Sequence, residues 1–268
     1  MLLAVIRGGG DLASGIAVRL FRSGIKVVIT ELQQPLAVRR AVSFAEAVYS
    51  QPVMIEGIKG VLYSSIDGIS NMVLDQSIPV IVDTDLSIVQ KLKPQIIIDA
   101  RMRKIESKSA LLTEQMLVGI GPGFIAGENC DCVIETKRGP YLGRVYWDGA
   151  AEKDSGLPDR VGVFEKERVL RASVDGEIKA FARIGDLLDA GDLIAEIRGM
   201  QIKAPFKGIL RGIIHEGLKV TKGMKIGDLD PRCDPLLCRL VSDKALSIGG
   251  STLEAILSKE NLRKQLND

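Results

Sequence analysis

The chain has 268 residues, 46% hydrophobic and 26% charged, with 36 basic against 34 acidic side chains and a net charge of +2. That length suggests about two domains with enough apolar residues for a sizeable core, and the balanced charge gives no reason to expect a nucleic-acid or membrane-surface partner. The first apolar run stops at Arg7, short of the roughly 7 residues of a signal-peptide core, and no run reaches the ~18 of a membrane span, so a cytoplasmic protein without a membrane partner is expected.

Residues 3–6 read as a buried strand, and Gly8, Gly9 and Gly10 as the turn that follows. Residues 12–22 carry Leu12, Ile16, Leu20 and Phe21 at helical spacing, Gly24 ends that helix, and residues 26–30 form a second, β-branched strand closed by Glu31. Strand, glycine turn, helix and strand make one βαβ unit. Gly8 allows the tight turn, Gly10 lets the backbone approach a phosphate, and Ala13 is small enough for the helix to lie close to the strand. The helix start offers free N–H groups to an anion. Glu31 lies 21 residues after Gly10, where an acid can accept from a ribose hydroxyl and repel a 2′-phosphate, which favours NAD over NADP. The candidate cofactor-binding residues here are Gly8, Gly9, Gly10, Asp11, Leu12, Ala13 and Glu31. The same turn would also serve as a reversal that binds nothing.

The alternation continues with a helix over 36–49 carrying Arg39 and Arg40, a short strand at 61–63, helical spacing at 66–74 and a strand at 78–82 ending in Asp83 and Asp85. A short helix at 87–92, a strand at 95–98 ending in "DARMRK", and strands at 115–120 and 132–134 follow. This pattern predicts a mostly parallel, Rossmann-like sheet covered on both faces. Ligands of such sheets sit beyond the carboxyl ends of the strands, which adds Asp83, Arg101, Gly121 and Gly123 to the candidates; Arg101 and Lys104 suit phosphate or a pterin-type anion.

From Arg171 and again from Lys203 the chain repeats itself at an offset of 32, matching Gly176 with Gly208, Gly185 with Gly217 and Gly191 with Gly223. Two such copies predict a small β-barrel like the barrel-sandwich hybrid of biotinyl and lipoyl carriers. Gln201 stands where a carrier lysine would be, so the barrel is read as a docking or lid element. The expected domains are 1–158, the Rossmann-like part, 159–231, the barrel, and 232–268, a helical segment returning to the first domain. In that segment Ser242 or Asp243 caps a short helix, Gly249 and Gly250 break it, and a second helix covers 252–258.

Four cysteines, Cys130, Cys132, Cys233 and Cys238, lack the usual zinc spacing. They read as buried thiols, or, for the Cys130–Cys132 pair, as a low-pKa carrier of sulfur or selenium. With His215 the single histidine, no nucleophile–base arrangement is visible, and no catalytic residue or metal ligand is assigned.

The segments "RGGGDLASGIAVRL", "PLAVRRAVSFAEAV", "GIGPGFIAGENCDCVIETKRGPYLGRV" and "SDKALSIGGSTLEAIL" together resemble the selenium-dependent molybdenum hydroxylase system protein family, itself distantly similar to the xanthine dehydrogenase accessory factors. The resemblance covers nearly the whole chain. It implies a maturation protein that binds a molybdopterin-type cofactor and meets a molybdenum hydroxylase apo-enzyme or other maturation factors, with a homo-oligomer compatible. The alternative from the residues alone is an NAD-dependent oxidoreductase acting on a small molecule.

Overall fold

The computed structural model describes residues 2–70, 76–103, 114–153 and 167–266. It divides into two compact units: the first is Met1–Pro35, Ser43–Asp154 and Val241–Asp268, and the second is Leu36–Val42 and Ser155–Leu240.

The first unit begins with β1 (Leu3–Arg7), α1 (Asp11–Arg22) and β2 (Lys26–Glu31). Two short 3-10 turns follow, Arg40–Val42 in the second unit and Phe44–Val48 back in the first. Next come β3 (Val53–Ile55), β4 (Ile58–Tyr63), α2 (Ile66–Ser70), β5 (Ile78–Val82), α3 (Ser87–Leu92) and β6 (Ile96–Asp99). Then follow β7 (Met116–Ile120), β8 (Ile125–Ala126), β9 (Cys132–Ile134), β10 (Val145–Tyr146) and β11 (Gly149–Ala150). The main sheet has nine strands in the order β10-β9-β7-β6-β1-β2-β5-β4-β3. Its interior pairs are parallel, whereas β3 and β10 close the two edges antiparallel.

The second unit contains β12 (Val169–Arg171), β13 (Gly176–Ala180), β14 (Leu187–Leu188), β15 (Leu193–Ile197), β16 (Met200–Lys203), β17 (Gly208–Ile213), β18 (Lys219–Val220), β19 (Lys225–Asp230) and α4 (Leu236–Arg239). The chain then returns to the first unit as α5 (Asp243–Leu257) and α6 (Glu260–Lys264).

Three expectations need correction. The first is the Rossmann-like sheet. Between β2 and β5 the chain makes 3-10 turns, the β3–β4 hairpin and α2 instead of one helix over 36–49. The segment Leu36–Val42 belongs to the second unit, which interrupts any helix there. The architecture is therefore mixed α/β, with a large, mostly parallel sheet and separate antiparallel sheets. The second correction is the barrel. The sequence repeat is real in the backbone: β13, β14 and β15 recur as β17, β18 and β19, with Gly185, Gly191, Gly217 and Gly223 all at positive φ in the turns. The copies exchange their middle strands, β13 pairing with β18 and β17 with β14. They end as two open four-stranded antiparallel sheets, β12-β19-β17-β14 and β16-β15-β13-β18, not as a closed barrel-sandwich hybrid. The glycines at positive φ mark where the chain reverses, but the strands that they join do not pair with each other, so the turn spacing specifies the repeat and not the closure of the sheets.

The third correction is α5, which runs unbroken through Gly249 and Gly250. Ser242 caps it by accepting from the Ala245 N–H at 3.1 Å. The glycines are there for approach: a Cβ on Gly15 of α1 would lie 2.6 Å from the Ala245 Cβ, and one on Gly249 would lie 2.7 Å from the Gly15 carbonyl oxygen. The two helices therefore meet backbone to backbone, over a core that includes Ile16, Leu20, Ile248 and Ile256. Close contact there offsets the helix cost of about 1 kcal/mol per glycine.

Candidate functional site

The carboxyl ends of β1, β2 and β6 meet at the glycine turn. Gly8 has φ 88°, a conformation that favours glycine, and its N–H donates to the Thr30 carbonyl at 2.8 Å. The Gly9 N–H donates to Glu31 Oε1 at 2.6 Å, and Glu31 Oε2 accepts from the Leu32 N–H at 2.7 Å. Burial raises the Glu31 pKa above 4.5 and outweighs these two bonds, which act to lower it. Gly10 is the N-cap of α1 and offers no side chain to the first turn. The N–H groups at that end have no partner within the helix and carry its positive dipole end. Asp11 opens the helix and Ala13 is buried beneath it, while Leu12 packs against the core.

Arginines flank this turn. Asp99, at the end of β6 and 1% exposed, accepts from Arg101 Nε at 2.9 Å and from Arg101 Nη2 at 2.5 Å. Arg7, its register partner on β1, reaches it at 3.5 Å. Burial lowers the Arg7 pKa; Asp99 opposes the shift, and the positive charges of Arg101 and Arg103 add to it. A Cβ on Gly8 would lie 3.3 Å from Arg101 Cγ, so the arginine stem lies along the turn. Two guanidiniums thus share one carboxylate, and among the described residues the half-buried Arg103 makes no hydrogen bond or ion pair.

The structure brings Gly8, Gly9, Gly10, Glu31 and Arg101 together. Asp83 accepts from the Ser87 and Ile88 N–H groups at 3.1 and 2.9 Å and so braces the start of α3, while its charge also acts on Arg7. Gly121, at φ 76°, follows β7; a Cβ there would meet Thr136 Oγ1 at 2.8 Å and Met102 Cε at 3.3 Å. It therefore neighbours the Arg101 loop, while Gly123 forms the turn beyond it at φ 97°. Lys104 lies outside the described residues. Sequence reasoning missed Arg7, which reads only as an interruption of an apolar run, and Arg103. The spacing of the two arginines in "RMR" was the available signal.

The thiols do not suit chalcogen transfer. Burial pushes Cys130 and Cys132 each up to about 12, whereas a sulfur or selenium carrier needs a thiolate at neutral pH. Among the described residues no group of three His, Cys, Asp or Glu side chains is placed to hold a metal ion, and no helix is long and apolar enough to cross a membrane.

No family model matches the chain. The uncharacterized protein YqeB of Escherichia coli K12 is 40% identical over 255 residues, covering 95% of this chain and 47% of that protein. The chain thus spans about half the length of the curated relative it matches. Among solved structures, an aspartoacylase family protein from Mesorhizobium loti gives a TM-score of 0.29 at 13% identity, over 85% of this chain and 84% of that one. A succinylglutamate desuccinylase from Silicibacter gives 0.25 at 11% identity, over 85% and 84%. A product-bound ectoine utilization protein from Ruegeria pomeroyi gives 0.26 at 10% identity, over 85% of each chain. Likeness at that level carries no argument about this chain. The curated relative is described only as uncharacterized, and no family model links the chain to molybdenum or selenium. The expected membership of the molybdenum hydroxylase family is corrected accordingly, and with it go the maturation role and the oxidoreductase alternative.

Proposed function

We propose that the first unit binds a phosphate-bearing small molecule over the start of α1, between the glycine turn and the Arg101–Arg103 loop. The observation that carries this reading is the charge arrangement beside Gly8. Arg7 and Arg101 converge on the single carboxylate of Asp99, and Arg103 stands next to them without a partner among the described residues. A guanidinium that makes no ion pair among the described residues, within electrostatic reach of Arg7, and an uncapped helix N-terminus each favour an anion. The Gly8 and Gly9 N–H groups are engaged within the fold. The ligand oxygens therefore fall to Gly10, the first turn of α1 and the arginines. Both cofactor classes expected from the sequence carry a phosphate, and this part of the site does not discriminate between them.

Calorimetric titration with inorganic pyrophosphate and with NAD tests the reading, using the intact protein and Arg103→Ala. Binding that weakens about tenfold in the variant, as loss of a charge-assisted bond worth ~1.5–3 kcal/mol requires, supports it. Absence of heat with both probes, or equal affinity in the variant, contradicts it.

A further inference from the structure

Thr136 follows β9 in the first unit and is 4% exposed, yet among the described residues its hydroxyl makes no hydrogen bond. Its backbone is held firmly. The neighbouring Glu135, fully buried, accepts from the Thr136, Lys137 and Glu152 N–H groups, each at 2.7 Å. A polar group buried without a hydrogen bond costs stability, and native proteins rarely leave one. A hydroxyl left so on a fixed backbone calls for a partner that the chain itself does not supply.

The sheet places Thr136 relative to the anion site. Side chains alternate between the two faces of a strand. Cys132 and Ile134 of β9 lie in the core beneath α1, with Ala13 and Ile16 of that helix, whereas Val133 belongs to the core of the opposite face. Thr136 continues the first series. Met102 packs against that same core, and Met102 Cε and Thr136 Oγ1 both lie over Gly121, 3.3 and 2.8 Å from where its Cβ would be. Thr136 therefore stands on the α1 side of the sheet, next to the Arg101–Arg103 loop. The strands between it and the glycine turn run in the order β9, β7, β6, β1. Three spacings of about 4.8 Å separate the two ends, roughly 14 Å in all. A phosphate or a pyrophosphate does not reach that far. Between Thr136 and Arg101 the floor is Met102 and Gly121, an apolar surface suited to a carbon skeleton.

We propose that Thr136 selects the organic part of the ligand. The site takes an elongated organic phosphate: its phosphate lies over the start of α1, its carbon skeleton crosses Met102 and Gly121, and a hydrogen-bonding group ends on the Thr136 hydroxyl. This rests on the anion site proposed above and adds its substrate class.

Calorimetry of the full chain with inorganic pyrophosphate and with NAD separates the two claims. Pyrophosphate reports the anion site alone. NAD carries an organic group on each side of its diphosphate, so one of them lies on the β9 side whichever way the ligand is turned. NAD is expected to bind more tightly than pyrophosphate. Thr136→Val removes the hydroxyl with little change of shape. It is expected to weaken NAD about fivefold, the worth of one hydrogen bond, and to leave pyrophosphate unchanged, while Thr136→Ser restores the NAD affinity. The urea midpoint of Thr136→Val is expected to stay at or above the wild-type value, since no internal bond is lost. Unchanged NAD affinity in Thr136→Val overturns the proposal and leaves the anion site standing, as does NAD binding no tighter than pyrophosphate. Equal weakening of both probes, or a lowered urea midpoint, makes Thr136 a structural residue and overturns it too. Absence of binding by both probes overturns the anion site and this proposal together.

Discussion

The Gly9 N–H and the Glu31 carboxylate meet at 2.6 Å, so the turn after β1 is locked to the last residue of β2 by one short bond. This acid is held above its ordinary pKa of 4.5, burial being the dominant cause. A carboxyl whose folded pKa is raised penalises the folded state once it ionises. The penalty is absent below the unfolded pKa and complete above the folded one. In Glu31→Gln the folding stability relative to wild type is therefore expected to improve as pH rises from 4.5 through the raised value, on top of a pH-independent loss from the Leu32 N–H bond. Urea unfolding of both proteins across that range checks it; a difference that does not change with pH would contradict it.

Gly9→Ala is expected to cost about 1–3 kcal/mol, the usual range for overpacking, because the new methyl meets the Ala45 backbone and not a movable side chain. Gly10→Ala, with nothing within 4 Å of the added methyl, is expected to cost about 1 kcal/mol or less, through poorer N-capping alone. Urea midpoints of the two variants make the comparison. Equal losses would show that the Gly9–Ala45 approach is not tight.

These local features were legible because strand, glycine turn, helix and acid lie within the first 31 residues, where spacing and contact are nearly the same thing. Arg7 and Asp99 were harder. They become neighbours only through the parallel register of β1 and β6, and no short-range pattern carries that pairing. The stretch 36–49 misled for a related reason: its residues divide between two units, so the side chains that appear helical in spacing answer to different cores. In α5 the glycine pair suggested a break, because what Gly249 accommodates is Gly15, far away in the chain. The internal repeat was fully visible in the glycines, yet it could not say that the middle strands would pair across the two copies or whether the sheets close.

The two thiols raised to about 12 are expected to resist modification. Treatment of the folded protein with a thiol reagent at pH 8 should label Cys233, which is only partly buried, and leave Cys130, Cys132 and Cys238 until denaturant is added. Fast labelling of Cys130 or Cys132 in the folded protein would restore a role for a reactive thiol.

In the second unit, Asp228 is 2% exposed and faces Arg168 at 2.9 Å and Arg211 at 3.7 Å. Asp228→Ala leaves buried guanidiniums without this carboxylate and is expected to cost about 3–5 kcal/mol. Asp230 beside it behaves oppositely to Glu31. Burial acts to raise its pKa, but the hydrogen bonds from Arg232 and the charges of Arg232 and Arg211 prevail and hold it below 3.8. Its contribution is complete above 3.8 and is lost as pH falls through the lowered value. Asp230→Asn should therefore remove stability at neutral pH and flatten the acid limb of the unfolding profile. An unchanged acid limb would contradict that assignment.

The most direct test of the proposed anion site is an amide correlation spectrum of the labelled protein titrated with inorganic pyrophosphate. Saturable shifts centred on Gly10, Asp11 and Leu12, with Arg101 and Arg103 responding alongside, are the predicted result. Shifts scattered over the surface without saturation, or none at all at the start of α1, would contradict the account.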